Sequence, residues 1–324
     1  MKVGAVINPR SAKQGRSGKA FTRALEGASD IAVETLDDFT VLPDIVKSFA
    51  KQKIDLIAIS GGDGTVQAMQ TALAESKAYK TLPRLAILPH GTTNMTAADV
   101  GLRIKNPVRV AELLRRPGYL SRATAIKTRR TVRVENLLDK PPQHGMFFGT
   151  GAIYQAVVLC QHDVHGVGLK GSMATGATLA VALAKSLFSR DGPDSDPDRI
   201  DRPYHMTITV DGQVKTASDQ LLFLVTTLNR LILGSRPFWI HPPDGGLRAT
   251  TVAYPHPSIL RYLWQVMYGG PERWLPEPDF LSFSGREIGL YTQSNLVIDG
   301  ELFEPPVDGE IKISAGPHFE YLCG

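Results

Sequence analysis

Residues 54–69, IDLIAISGGDGTVQAM, constrain the fold more than any other stretch. An apolar run (Leu56, Ile57, Ala58, Ile59) stops at Ser60, passes through Gly61, Gly62, Asp63, Gly64 and Thr65, and continues into helix formers. A short apolar run bounded by glycines predicts a buried parallel strand, and the residues after it predict a helix start. Glycine lets the backbone turn sharply and lets a ligand approach the main chain. Amide groups in such a bend, backed by a helix N-terminus, suit phosphate oxygens. Asp63 stands in the middle, and a carboxylate repels phosphate. It fits there if a metal ion or an oriented hydroxyl comes between them. As plain structure it is a helix N-cap.

Strand and helix signals alternate around this stretch. Strands are predicted at 3–7, 31–36 and 85–88, and helices at 18–25, 43–51, 65–76, 96–99 and 107–114. That alternation predicts a doubly wound α/β domain with a parallel sheet. Ligands of such sheets bind beyond the carboxyl ends of the strands. Three loops with phosphate-compatible chemistry fall there: 8–15 (NPRSAKQG), 61–65 and 90–94 (HGTTN). Their convergence favours a binding rim over three ordinary turns. Arg10, Lys13 and Arg16 add cations to the first loop.

After residue 118 the pattern changes to strands at 123–127, 131–135, 146–149, 205–210, 214–217, 221–226 and 248–252, with Asp211-Gly212 as a hairpin signal. This predicts an α/β domain over 1–122 followed by a β-sandwich domain over 123–324. Helical inserts are predicted at 172–188 and 258–268, buried against the sandwich core, with an acyl-chain slot or membrane contact as the alternative. Lys127, Arg129, Arg130 and Arg133 form a basic run, read as a solvated face or as a surface for anionic headgroups. A chain of 324 residues has room for both domains. Its net charge of +4 allows nucleotide phosphates or an anionic membrane as partners and argues against nucleic acid. Two cysteines and no signal peptide point to a cytoplasmic protein that touches a membrane, if at all, from outside.

In order and spacing, Asn8-Pro9 with its basic loop, Gly61-Gly62-Asp63-Gly64-Thr65, Leu88-Pro89-His90-Gly91-Thr92-Thr93-Asn94 and Asp299-Gly300-Glu301 make the chain resemble the diacylglycerol kinase catalytic-domain family. That family includes bacterial diacylglycerol kinases, sphingosine kinases and ceramide kinases. The glycine-rich motif alone is shared with NAD kinases and phosphofructokinases. The Gly-Thr-x-Asn segment and the late Asp-Gly-Glu narrow the choice. The resemblance covers nearly the whole chain. It implies an N-terminal α/β domain of the NAD kinase/diacylglycerol kinase type, a β-sandwich domain, and a lipid site in the cleft between them.

By position, the resemblance assigns ATP to Asn8, Pro9, Arg10, Ser11, Thr35, Gly61, Gly62, Asp63, Gly64, Thr65, Gly91, Thr92 and Asn94. Glu301 aligns with the carboxylate that takes the proton in bacterial members, and Asp63 with the one given that part in sphingosine kinases. The segment 240–247 resembles a structural magnesium loop, with Asp244 giving its side chain and His241 and Gly246 their carbonyls. Two departures stand out: Met95 replaces the usual aspartate after Gly-Thr-x-Asn, and residues 121–127 carry no acid. They weaken a diacylglycerol assignment and favour ceramide or sphingoid lipids. The expected activity is an ATP- and Mg²⁺-dependent kinase of a membrane lipid alcohol with peripheral membrane contact; a homodimer stays open. The alternatives are a soluble NAD kinase and a nucleotide-binding regulatory protein without catalysis.

Overall fold

Strands with no polar alternation must be covered on both faces, and the first third of the chain builds that way. The computed structural model describes residues 1–11, 17–104, 106–116, 118, 120, 122, 124–163, 200–242, 246–255 and 259–324. In it, β1 (Val3–Ile7), β2 (Ile31–Thr35), β3 (Leu56–Gly61) and β4 (Arg84–Pro89) form a parallel sheet in the order β4-β3-β1-β2. Every residue of β1 and β3 is buried. The register sets Ile7 opposite Thr35 and Ser60, and Ser60 opposite Leu88. The four strands therefore end nearly flush, and the loops that follow them share one rim.

The helices are α1 (Lys19–Leu25), α2 (Leu42–Lys51), α3 (Asp63–Glu75), α4 (Met95–Val100) and α5 (Pro107–Leu114). Helix α2 buries Leu42, Ile45, Val46 and Phe49, the three-and-four spacing of one helical face. Helix α5 starts where Asn106 accepts the amides of Val108 and Arg109 and Pro107 supplies a first residue with no amide to satisfy. Phe21 and Leu25 of α1 and Val110 and Leu114 of α5 pack with Val3, Ala5, Ile7 and Leu56 in one core.

The rest of the chain is strand-rich. It runs through β5 (Ala125–Glu135), β6 (Gln143–Gly145), β7 (Phe147–Gly151), α6 (Ala152–Asp163), β8 (Tyr204–Val210), β9 (Gln213–Thr226) and β10 (Leu247–Ala253). It continues with α7 (Ile259–Tyr268), β11 (Phe280–Gly285), β12 (Glu287–Tyr291), β13 (Leu296–Ile298), β14 (Glu301–Phe303) and β15 (Glu310–Cys323). Neighbours pair antiparallel: β9 with β7, β8 and β10, and β13 with β7 and β14. Alternate residues (Phe148, Ile208, Phe223, Val225, Ile288, Ile298 and Ile313 among them) meet in a second core. The period of two that fills it is the half-buried-strand pattern.

Contacts divide the chain into Met1–Thr131 with Gly316–Gly324, and Val132–Ala315. The contiguous division expected from sequence assigns residues 123–131 and 316–324 to the second unit, whereas their contacts lie in the first. The reason is strand length: β5 and β15 each run past the boundary. Near its end, β15 sets Tyr321 beside Leu85 of β4, where the fully buried tyrosine hydroxyl accepts Gln70 Nε2 at 2.7 Å. The strands predicted at 123–127 and 131–135 fall on one strand, β5 (Ala125–Glu135), and those at 214–217 and 221–226 on another, β9 (Gln213–Thr226). Helix α6 and the strands after 280 carried no sequence expectation. The insert expected at 258–268 appears as a helix over Ile259–Tyr268; the one at 172–188 lies outside the described residues.

Candidate functional site

The three glycine- and hydroxyl-bearing loops expected at the sheet's rim interlock there. Asn8 follows β1. Its amide donates to the Ser60 carbonyl at 2.9 Å, its Nδ2 to Thr65 Oγ1 at 2.8 Å, and its Oδ1 accepts the Arg10 amide at 2.9 Å. Ser11 Oγ donates to the His90 carbonyl at 2.7 Å, and Ser60 Oγ meets His90 Nδ1 at 2.8 Å. His90 is buried, and burial holds its pKa below the ordinary histidine range, so the ring is neutral. Asn94 takes the left-handed conformation (φ 52°) and bonds both ways with the Gly91 backbone, each at 2.7 Å.

Two glycines are dictated by crowding. A Cβ on Gly91 would run into the Gly62 backbone, and one on Gly61 would lie 2.6 Å from Thr65. The loops after β3 and β4 therefore touch main chain to main chain. Of the residues assigned to ATP by resemblance, Asn8, Ser11, Thr65, Gly91 and Asn94 build this cradle. Pro9, Arg10 and Thr35 are exposed at the strand ends, and Gly62, Gly64 and Thr92 are half-buried. Lys13 and Arg16 lie outside the described residues.

The cradle opens onto the start of α3. Gly62 stands at its N-cap and no side chain caps it. The amides of Asp63, Gly64 and Thr65 have no acceptor among the described residues. A long helix with a bare N-terminus in a glycine-rich bend is suited to an anion.

Asp63 acts as a helix cap, though not for the helix it begins. It caps the next one: Met95 N–H donates to Oδ2 at 3.0 Å and Thr96 N–H to Oδ1 at 2.9 Å. Burial pushes its pKa up, and hydrogen bonds from Thr96, Met95 and Asn94 pull it back. Both oxygens serve the start of α4. That oxygen chemistry beside a phosphate-type bend fits a hard divalent cation.

The far end of α4 is held as well. Arg129 Nε pairs with Asp99 Oδ2 at 3.2 Å, Lys127 Nζ donates to the Asp99 carbonyl at 2.7 Å, and Cys323 Sγ to the Val100 carbonyl at 2.9 Å. Cations at a helix C-terminus oppose its negative end. Arg130 donates to the Gly316 carbonyl, and Arg133 pairs with Glu135. The basic run is thus spent on internal contacts, not on the solvated face or headgroup surface expected of it. Sequence gave no signal for this use, because Asp99 is distant in the chain.

In the second unit, Asp299-Gly300 forms a two-residue turn between β13 and β14, with φ of 48° and 91°. Positive φ at both positions explains the pair. Asp299 is buried, and its carboxylate accepts Met146 N–H at 2.9 Å and Phe147 N–H at 3.0 Å. Gln161 of α6 donates to the Gly300 carbonyl at 3.1 Å. Glu301 follows this anchored turn. Its residue surface is exposed, yet surrounding protein partly desolvates the carboxyl and raises its pKa. Among the described residues no hydrogen bond or ion pair engages that carboxylate. Tyr154, Tyr204, Tyr291 and Asn295 line a cavity of about 440 Å³ elsewhere in this unit.

Asp244 lies outside the described residues, so the expected metal loop shows only its flanks. His241 is exposed with its ring edge toward Phe238, and Gly246 leads into β10. Among the described residues no group of three acidic, histidine or cysteine side chains gathers as a metal site. No helix of the described residues is long and apolar enough to cross a membrane.

Residues 2–124 match the model of the diacylglycerol kinase catalytic domain. No curated protein matches the chain. Among solved structures, a candidate diacylglycerol kinase from Bacillus anthracis strain Sterne is 21% identical, with a TM-score of 0.67 over 99% of this chain and 96% of that one. A second structure from that strain, called a diacylglycerol kinase, is 20% identical, with a TM-score of 0.63 over 99% and 96%. A third, again a candidate diacylglycerol kinase, is 21% identical, with a TM-score of 0.64 over 100% and 97%. These likenesses show the fold: an N-terminal α/β part with a parallel sheet followed by a strand-rich part.

Proposed function

With a diacylglycerol kinase catalytic domain across residues 2–124 as the premise, we propose that this protein is an ATP-dependent lipid kinase. It transfers the γ-phosphoryl group of ATP to the hydroxyl of a membrane lipid alcohol, a ceramide, sphingoid lipid or diacylglycerol. The observation that supports this best is the uncapped start of α3 within the interlocked cradle of Asn8, Ser11, Gly61, Gly62, Gly91 and Asn94. It offers fixed amide donors of the kind a triphosphate needs, and fixed donors cost no reorganisation when charge moves.

Phosphoryl transfer asks for positioning, charge stabilisation and a proton acceptor. The lipid hydroxyl oxygen forms a bond to the γ-phosphorus, the bond from that phosphorus to the β–γ bridging oxygen breaks, and ADP leaves. The hydroxyl proton goes to Glu301. A carboxylate whose pKa is raised, and which no partner engages among the described residues, is a better base than an ordinary one. Asp63 positions: by holding the amides of Met95 and Thr96 it fixes the loop after β4 against the loop after β3. Mg²⁺, with the Asp63 carboxylate as a ligand, would screen the phosphate charge. A second cation would sit in the 240–247 loop, with Asp244, His241 and Gly246 as its ligands.

The test is γ-labelled ATP offered with diacylglycerol, ceramide, sphingosine and monoacylglycerol in mixed micelles. Label in one of these lipids is the expected result and names the acceptor. Conversion of NAD to NADP without lipid would replace this reading with an NAD kinase. ATP binding with no transfer to any lipid would replace it with a regulatory nucleotide-binding protein.

A further inference from the structure

Helix α7 presents two faces. Ile259, Tyr262 and Val266 pack with Leu275 and Phe280 in an apolar cluster. The opposite face repeats at helical spacing as Arg261, Trp264, Gln265 and Tyr268, all exposed. Trp264 is 73% exposed and Tyr268 39%, their rings 4.6 Å apart. Just beyond the helix, Trp274 is 70% exposed. Two of the chain's three tryptophans are thus largely in water. Tryptophan is the side chain with most to gain from burial, so such exposure calls for a partner.

The surrounding backbone holds these rings together. The Arg273 guanidinium caps the end of α7, donating to the carbonyls of Gln265, Val266 and Gly269, which fixes the neighbouring Trp274 at that end. The Arg236 amide donates to the Met267 carbonyl at 2.7 Å, bringing in the tight turn before it. At the tip of that turn Leu233, in the left-handed conformation, is 52% exposed. Among the described residues here, the exposed cations are Arg230, Arg236 and Arg261, and the exposed acids are Glu272 and Glu277.

We propose that the end of α7, with Trp264, Tyr268, Trp274 and Leu233, docks on the interface of an anionic bilayer. Indole and phenol rings with guanidinium groups are the side chains that settle at headgroup depth. The cations outnumber the acids, which favours an anionic lipid surface. This rests on the lipid kinase reading in one respect: an acceptor that lives in a bilayer has to be met there.

The test uses the full chain and vesicles of phosphatidylcholine with or without phosphatidylglycerol, free of any kinase acceptor and of ATP. Binding to the anionic vesicles is expected, with a blue shift of tryptophan emission and quenching by lipids brominated on their acyl chains. The W264A/W274A double variant is expected to lose about tenfold or more in vesicle binding. It should keep its melting temperature and its transfer to a short-chain, monomeric lipid alcohol. R261Q/R236Q should lose binding only to the anionic vesicles. Three results would overturn the proposal: wild type that ignores vesicles, a double variant that binds as wild type does, or a wild-type dimer in sedimentation that the double variant abolishes. A wild type that docks through these tryptophans yet phosphorylates no lipid would leave the docking intact and remove the kinase reading instead.

Discussion

Asp63 and Glu301 both looked like catalytic carboxylates, and the structure treats them in opposite ways. Asp63 has both oxygens bonded to the first amides of α4, with burial raising its pKa and those bonds opposing the rise. Glu301 stands on an exposed hairpin strand, engaged by no bond among the described residues, with nothing opposing the rise. A carboxylate already spent on two amides is suited to holding parts in place. One left over, and made more basic by its surroundings, is suited to taking a proton. The hairpins repeat the lesson. Asp211-Gly212 and Asp299-Gly300 share positive φ at both residues, and each aspartate accepts two amides of a neighbouring segment: Arg286 and Glu287 for Asp211, Met146 and Phe147 for Asp299. The turns are the same structural device. What differs is the next residue, Gln213 in one and Glu301 in the other.

The comparison breaks most visibly at Glu301. Glu301→Gln is expected to lower kcat by about 10²–10⁴-fold, the span of a lost general base. ATP affinity and melting temperature should stay unchanged, since no bond is removed; isothermal titration and calorimetry check both. Gln213→Ala, at the matching position of the other hairpin, should change nothing.

Asp63→Asn comes next. Its NH₂ would face an amide donor in place of an acceptor, leaving one of the two bonds unmade. We expect a stability loss of about 1–3 kcal/mol. The KM for ATP should rise more than kcat falls, because a positioning residue acts through the loop it holds. Full activity and full stability in this variant would remove Asp63 from the account.

A smaller effect separates the two turns. Asp299 is buried and Asp211 exposed. Denaturant unfolding should therefore show Asp299→Asn costing about 1–3 kcal/mol and Asp211→Asn less. Only the first should also lower kcat, since it loosens the strand that carries Glu301.

The smallest effect is in pH. Desolvation raises the Glu301 pKa from its reference of 4.5. As pH falls through that raised value the base is protonated, so kcat should decline on an acid limb whose midpoint lies above 4.5. The limb should vanish in Glu301→Gln, and it should survive in Asp63→Asn.

Much of the first unit was legible because its signals are local. Apolar runs, glycine bends and Pro107 after Asn106 marked β1, β3 and α5 within a residue or so. The rim was legible too, since parallel strands ending in register put their loops side by side whatever the loops contain. What those residues do there was not legible. Asp63 bonds amides 32 and 33 residues away, and Asp99 pairs with an arginine 30 residues away. Spacing in the chain carries no trace of such pairs. The second unit was harder for a different reason. Helix α6 opens with Ala-Ile-Tyr and continues with two valines, residues that fit strands as well as helices. The short strands β13 and β14 have three residues each, too few for a period of two to show.

The most direct test of the account is transfer of label from γ-labelled ATP to a lipid alcohol, run side by side with wild type and Glu301→Gln while ATP binding is measured on the same preparations. The account predicts labelled lipid from the wild type, almost none from the variant, and equal ATP affinity in both. Labelled lipid at the wild-type rate from Glu301→Gln would contradict it.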